Sequence, residues 1–191
     1  MKIWIDFFSQ FFHSREAGEK WVTELEGRLP GDARHPAKIM MHQTQRLVSL
    51  ADDVESLRER HPSLKIMFLI ICAENISKLH AGFHGEGQSR FHVRRFFNTM
   101  LDDAMRGRLR HGFSTLDMQA MEIGAIVDLL YDVRCDVVHE GRYWGFHFAE
   151  KYPLVNTPGI LVNITYRSFR DVVVEGCIRA IDSYQNCARA S

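Results

Sequence analysis

Residues 114–141, STLDMQAMEIGAIVDLLYDVRCDVVHEG, decide the fold class that we expect for this chain. Apolar side chains recur there at alternating intervals of three and four residues, which is the spacing of an amphipathic helix. They are Ile123, Ile126, Leu130, Val133 and Val137. Ser114 and Asp117 resemble a capping box, and Gly141 can take the left-handed conformation that ends a helix. The sequence therefore predicts a single helix over 114–141.

This helix separates a core face from a polar face. At roughly 100° per residue, Arg134 falls beside the apolar stripe, and the acidic residues fall on the opposite side together with a histidine. These polar residues are Asp128, Asp132, Asp136 and His139. An arginine beside the core and a histidine in the last turn make this helix the first candidate for a functional site.

Other helical patterns surround this helix in the sequence. We expect helices at 1–28, as one helix or two short ones, and at 37–60, 63–79, 90–110 and 169–187. The segment ILVNITY, residues 160–166, is typical of a short strand. The expected fold is all-α, a bundle of about five or six helices to which that strand is added. We interpret 1–191 as a single helical domain, with an N-terminal helical arm over 1–30 and a bundle over 37–187.

The composition of the 191 residues bounds the function. Lys and Arg together number 24, as do Asp and Glu, so no global charge directs the chain to nucleic acid or to an anionic membrane. The longest apolar run, 66–73, is far shorter than the roughly 20 residues of a membrane span. The four cysteines lack CxxC spacing and the N-terminus lacks the pattern of a signal peptide. We therefore expect reduced thiols and a cytoplasmic location.

The end of the predicted helix carries the strongest functional signal. In residues 131–141, YDVRCDVVHEG, four residues separate Arg134 from His139, and apolar valines precede both. This pattern resembles the signature of the HEPN family (higher eukaryotes and prokaryotes nucleotide-binding domains), an arginine and a histidine separated by four to six residues near the end of a bundle helix. A buried helix that carries Glu74, followed by a loop and an aromatic helix, is similar to the first helix pair of that family.

The resemblance implies an endoribonuclease that uses neither a metal nor a cofactor. Active HEPN proteins cleave RNA in a groove where arginine and histidine from two protomers meet. The expected partners are therefore single-stranded RNA, a second copy of the chain in a homodimer, and an antitoxin if the chain is a toxin. No membrane partner is expected. Defence, a toxin–antitoxin pair and RNA processing are the settings that the resemblance implies.

The residue types suit cleavage of RNA by its own 2′-hydroxyl. Histidine has an ordinary pKa of about 6.5, so His139 can act as general base or general acid near neutral pH. The guanidinium of Arg134 can stabilise the charge on the phosphate in the transition state. Asp136, three residues before His139, would orient the imidazole, and Asp132 would support the site from one turn earlier.

Two residues leave the interpretation open. Glu74 lies in the most apolar helix, so it requires a partner such as Lys78 or an arginine of a neighbouring helix, or it supports the active groove. Many active HEPN proteins have a polar residue directly after the arginine, where this chain has Cys135. That departure favours the alternative function, a non-catalytic HEPN-like module that binds RNA or a nucleotide or that dimerises.

The sequence offers two groups of candidate RNA-binding residues. Arg142, Tyr143 and Trp144 directly follow the motif, where they could receive a phosphate and a base. Arg106, Arg108 and Arg110 form one of the densest basic stretches of the chain. The alternative for these three arginines is a solvated helix face with a cationic helix end that the helix dipole stabilises.

Overall fold

The structure is a computed structural model that describes residues 1–29, 31–32, 34–57, 61–156 and 159–190, without the side chains of 55–57 and 187–190. The described residues form eight α-helices and a 3-10 turn at Ser9–Phe11. The helices are α1 Lys2–Phe8, α2 Arg15–Arg28, α3 Pro36–Leu57, α4 Pro62–His80, α5 Ser89–Thr99, α6 Asp103–Gly112, α7 Ile123–Glu140 and α8 Tyr166–Ala190. The predicted all-α helical bundle with a short strand is confirmed, with more helices than we expected.

Helix α4 is the centre of the bundle, because it contacts α3, α5, α7 and α8. Its apolar side chains point in every direction, and Ile66, Leu69 and Ile70 are fully buried. Pro62 begins the helix, where the missing N–H of proline costs no hydrogen bond. Beyond its end, Gly82 takes a left-handed conformation with φ of 62°. No helix in the described ranges combines the length and the hydropathy that a bilayer crossing requires.

A small antiparallel sheet covers one end of the bundle. Its strands are β1 Phe113–Thr115, β2 Leu154–Asn156 and β3 Ile160–Val162, with β3 in the middle. Phe113 and Leu154 both lie opposite Val162. The strand predicted near 160–166 is confirmed over Ile160–Val162. It has two partners that the sequence pattern did not reveal.

The predicted helix over 114–141 is wrong at its start. Ser114 lies in β1 and caps no helix, since the first residue of α7 is Ile123. Pairing of β1 with β3 determines the conformation of residues 113–115. This tertiary contact outweighs the local helix-capping preference of Ser114 and Asp117. The end of the helix is as predicted: Gly141 has φ of 65°, and its N–H donates to the Asp136 carbonyl.

The predicted helix over 90–110 is two helices. The Asp102 side chain accepts a hydrogen bond of 2.9 Å from the Met105 N–H, so it caps α6. The chain therefore turns between Met100 and Asp103, and the break buries both Met100 and Leu101.

The N-terminal arm packs on the bundle. Phe8 and Val22 are fully buried within the same core cluster as the residues of α4. The Trp21 Nε1 donates a hydrogen bond of 2.9 Å to the Asp182 carboxylate, which joins α2 to α8. The arm is therefore part of one continuous core.

We predict that Gly18→Ala destabilises the protein by about 1–3 kcal/mol, because the new methyl group overpacks the arm. A Cβ at Gly18 would lie 2.5 Å from the Ser9 Cα. Gly27→Ala in the same helix is the matched control, since nothing lies within 4 Å of its Cβ position. This control should gain up to about 1 kcal/mol from helix propensity. Urea unfolding measures both, and equal stability of the two variants would contradict the packing.

Candidate functional site

A cleft of about 940 Å³ runs along the polar face of α7. One side of the cleft is formed by α7 and by Ser63 of α4. Its side chains are the carboxylates of Asp128, Asp132 and Asp136, the aliphatic Leu129 and Val133, and the Ser63 hydroxyl. The segment that follows α7 forms the other side, with Arg142, Trp144, His147, Val155 and Asn156. The cleft thus brings together four of the candidate residues, Asp132, Asp136, Arg142 and Trp144.

The three carboxylates of the cleft differ in what they bind. Asp128 pairs with Arg90 and Arg94 of α5, and Asp132 pairs with Arg90. The hydrogen bond from Arg94 is the main reason that the pKa of Asp128 lies below its ordinary value. Asp136 has no side-chain hydrogen bond or ion pair to any part of the chain that the structure describes. Asp136 is therefore the carboxylate of this wall that is available to a ligand.

The opposite wall is held in place by the side chain of Asn156, which is nearly fully buried. Its Oδ1 accepts a hydrogen bond of 2.6 Å from the His147 N–H, and its Nδ2 donates to the His147 carbonyl at 2.9 Å. The Tyr143 ring contacts His61 and Trp144, with centroids 4.9 and 5.2 Å away. Trp144 itself is 62% exposed, so much of its indole is accessible to a ligand.

Arg134 lies on the other flank of α7, outside the cleft. Its side chain is 15% exposed, and its Nη2 lies 3.6 Å from the Glu74 carboxylate. Glu74 also accepts hydrogen bonds of 2.7 Å from Lys78 and from the Ser89 hydroxyl. The expectation that buried Glu74 pairs with Lys78 or with an arginine is confirmed, because both Lys78 and Arg134 form ion pairs with it. The Arg134 Nε is buried and without a hydrogen-bond partner among the described residues.

His139 is exposed in the last turn of α7. In the described ranges, no hydrogen bond or ion pair joins it to Asp136 or to another residue. Residues five apart on a helix point about 140° apart, so α7 alone cannot place Arg134 beside His139. Of the three predicted catalytic residues, only Asp136 lines the cleft of a single chain.

The candidate RNA-binding arginines all lie near carboxylates. Arg142 pairs with Glu140 at 2.7 Å while its side chain stays exposed. None of the three α6 arginines is among the residues that line the cleft. Arg106 pairs with Asp103, Arg108 pairs with Glu175, and Arg110 lies 4.0 Å from Glu122. Arg106 also donates to the Asn98 carbonyl at 3.0 Å and so helps to close the turn between α5 and α6. Arg106 and Arg108 thus have close partners within the chain, whereas the Arg110 contact joins two exposed side chains.

The structure also contains a serine–histidine pair that the sequence analysis did not single out. The His80 Nε2 lies 2.8 Å from the Ser183 hydroxyl, and Arg95 donates to the His80 Nδ1 at 3.3 Å. Because Nδ1 accepts, Nε2 carries the proton and donates to Ser183. Burial, and then Arg95, lower the pKa of His80. His80 therefore cannot remove a proton from Ser183, and the pair links α4 to α8 without activating a nucleophile.

A buried histidine lies near Glu74. His92 is 2% exposed, and neither ring nitrogen has a hydrogen-bond partner in the part of the chain that the structure describes. The Phe83 ring lies 4.7 Å from it, centroid to centroid. Burial lowers the pKa of His92, and the charges of Lys78 and Arg95 lower it further. The lowered pKa favours the neutral imidazole of His92 at pH 7.

We predict that His92→Leu raises the free energy of unfolding at pH 7 by about 1–3 kcal/mol, because it removes two unpaired buried nitrogens. Because the pKa of His92 is lowered in the folded state, the unfolded state binds a proton at a higher pH than the folded state does. The stability linked to neutral His92 is therefore fully present above about pH 6.5 and is lost as the pH falls below that value. His92→Leu should flatten that acid loss, measured by urea unfolding between pH 7 and pH 5. Exposed His84→Leu is the control, and an equal flattening by both variants would refute the assignment.

We predict that Glu74→Gln costs about 3 kcal/mol, because it leaves Lys78 and Arg134 without their buried counter-charge. A double-mutant cycle with Arg134→Met, followed by urea unfolding, isolates the contribution of the Arg134 pair. Exposed Glu24→Gln, which breaks surface pairs with Lys20 and Arg28, is the control and should change stability by under about 1 kcal/mol. Additive single effects would show that Arg134 gains no stability from Glu74.

Comparison with known proteins adds no relative to this description. No family model, no curated protein and no solved structure matches the chain. Within the described residues, no three His, Cys, Asp or Glu side chains are grouped as metal ligands would be. The geometry of α7 and its cleft, together with the resemblance of residues 131–141 to the HEPN signature, therefore gives the basis for proposing a function.

Proposed function

We propose that this chain is a HEPN-like metal-independent endoribonuclease that acts on single-stranded RNA as a homodimer in the cytoplasm. The observation that carries the proposal is His139, whose imidazole is exposed and has no partner among the described residues, at the end of a helix that borders a large cleft. An imidazole that no internal contact engages is available for proton transfer. Defence, a toxin–antitoxin pair and RNA processing are the settings that suit such an activity.

In the proposed reaction, the 2′-hydroxyl attacks the adjacent phosphorus while the bond to the 5′-oxygen of the next nucleotide breaks. One imidazole accepts the 2′-hydroxyl proton, and an imidazolium donates a proton to the departing 5′-oxygen. Two copies of His139 would supply the two roles. The products are a 2′,3′-cyclic phosphate and a free 5′-hydroxyl, so atoms and charge balance without a metal.

A second copy of the chain is needed because one α7 directs Arg134 and His139 to different sides. Exposed apolar side chains flank His139 in the sequence, namely Val138 and Tyr143. Burial of these residues between two copies would favour association and bring the two motifs near one groove. In that arrangement, Arg142 binds the phosphate directly, and Arg134 contributes through its charge, partly offset by Glu74.

One observation favours a second candidate function, the non-catalytic HEPN-like module. Arg134 lies within an interior cluster with Glu74, Lys78 and Tyr131, where its guanidinium joins α7 to α4. If that structural role is its whole contribution, the chain binds RNA or a nucleotide, or dimerises, without cleaving.

We predict that the parent protein cleaves single-stranded RNA in excess chelator and that His139→Ala lowers the rate at least about 100-fold. The measurement is gel analysis of end-labelled RNA, with the 2′,3′-cyclic phosphate identified by its resistance to phosphatase. His84→Ala, which changes an exposed histidine of the loop between α4 and α5, is the matched control and should cleave at the parental rate.

The same preparations distinguish the two candidate functions. Sedimentation analysis should give a dimer for the parent and for His139→Ala. RNA binding without cleavage, with equal affinity in both proteins, would replace the nuclease by the binding module. Chelator-sensitive cleavage that His139→Ala leaves unchanged would point to a contaminating nuclease and refute the proposal.

A further inference from the structure

We infer that the cleft along α7 binds a guanine base, held by Asp136 and Ser63 and stacked on Trp144. This inference deepens the proposed function, because it names the base that the RNA would place beside the motif. It is measured by binding alone, so it can fail or succeed independently of cleavage.

The first support is an unpaired hydroxyl among the residues that line the cleft. Ser63 is 1% exposed, it lines the cleft, and its Oγ is buried without a hydrogen-bond partner among the described residues. Buried polar groups are nearly always hydrogen-bonded in native proteins. A hydroxyl left unpaired at a cleft therefore indicates a ligand that supplies the partner.

The second support is the state of the three carboxylates. Arginines of α5 neutralise Asp128 and Asp132, and Asp136 alone of the three lacks a partner in the described chain. Arg142 lines the same cleft, while its guanidinium pairs with Glu140 at 2.7 Å. The available carboxylate of Asp136 therefore favours a ligand that presents hydrogen-bond donors.

Guanine fits these groups better than the other RNA bases. Its Watson–Crick edge carries N1–H and the N2 amino group side by side, which match the two oxygens of one carboxylate, and the adjacent O6 can accept from Ser63. Adenine and cytosine place an acceptor beside their single amino group, and uracil places carbonyls on both sides of N3–H. Those acceptors would face the Asp136 carboxylate, which repels them.

The remaining walls suit a flat ring with an attached phosphate. Trp144 presents an exposed indole, and Leu129, Val133 and Val155 provide apolar sides. The volume of about 940 Å³ leaves room for a ribose beside the base. Arg142 at the same wall can then pair with the phosphate of that nucleotide.

The test is calorimetric titration of the full chain with guanosine, adenosine, cytidine and uridine 5′-monophosphates at one salt concentration. We expect guanosine monophosphate to bind at least about tenfold tighter than the other three, the discrimination that a bidentate contact typically gives. Asp136→Asn should weaken guanosine monophosphate about tenfold and remove the preference. Ser63→Ala and Trp144→Ala should each weaken it several-fold.

Asp6→Asn is the matched control, because it removes the same charge from an exposed carboxylate outside the cleft that Arg15 already engages. It should keep the preference for guanosine monophosphate. Equal binding of all four nucleotides by the parent, no binding of any, or equal loss of preference in the two Asp→Asn variants would overturn the inference. Nucleoside 5′-monophosphates contain no phosphodiester bond to cleave, so this result does not depend on whether the nuclease proposal fails.

Discussion

The carboxylate of Glu74 in the middle of the bundle is the constraint on which the arrangement of helices depends. A buried charge is stable only when positive groups and hydrogen-bond donors surround it. Lys78 of the same helix, Ser89 at the start of α5 and Arg134 of α7 meet that requirement together. Glu74 thereby determines how α5 and α7 are placed against α4, and it places the motif arginine in the interior of the chain.

A second set of ion pairs joins α5 to α7 on the solvent side. Arg90 and Arg94 reach across to Asp128 and Asp132, and Arg90 also lies over the Tyr131 ring at 4.6 Å. Exposed ion pairs of this kind contribute little stability individually. Their importance lies in the cleft, where they neutralise Asp128 and Asp132. Asp136 is then the carboxylate of that wall without an ion pair among the described residues.

The sequence predicted the helical class, the central α4 and the end of α7, because each depends on local information such as apolar periodicity, proline and glycine. It did not predict β1, β2 or the start of α7, because strands of three residues form through pairing with a distant segment. The candidate site divides in the same way. Asp136, Arg142 and Trp144 stand near the motif in sequence, whereas Ser63 and Asn156 reach the cleft only through tertiary packing.

The two walls of the cleft have different origins. One is a face of α7, whose opposite side belongs to the core, and the other is the irregular segment that Asn156 holds against β2. Changes at its exposed positions, such as Trp144 and Val155, would alter the shape of the opening, whereas Phe146 and Phe148 of the same segment are buried in the core. This wall is therefore both a surface of the cleft and part of the packing, so only its exposed positions can change at little thermodynamic risk.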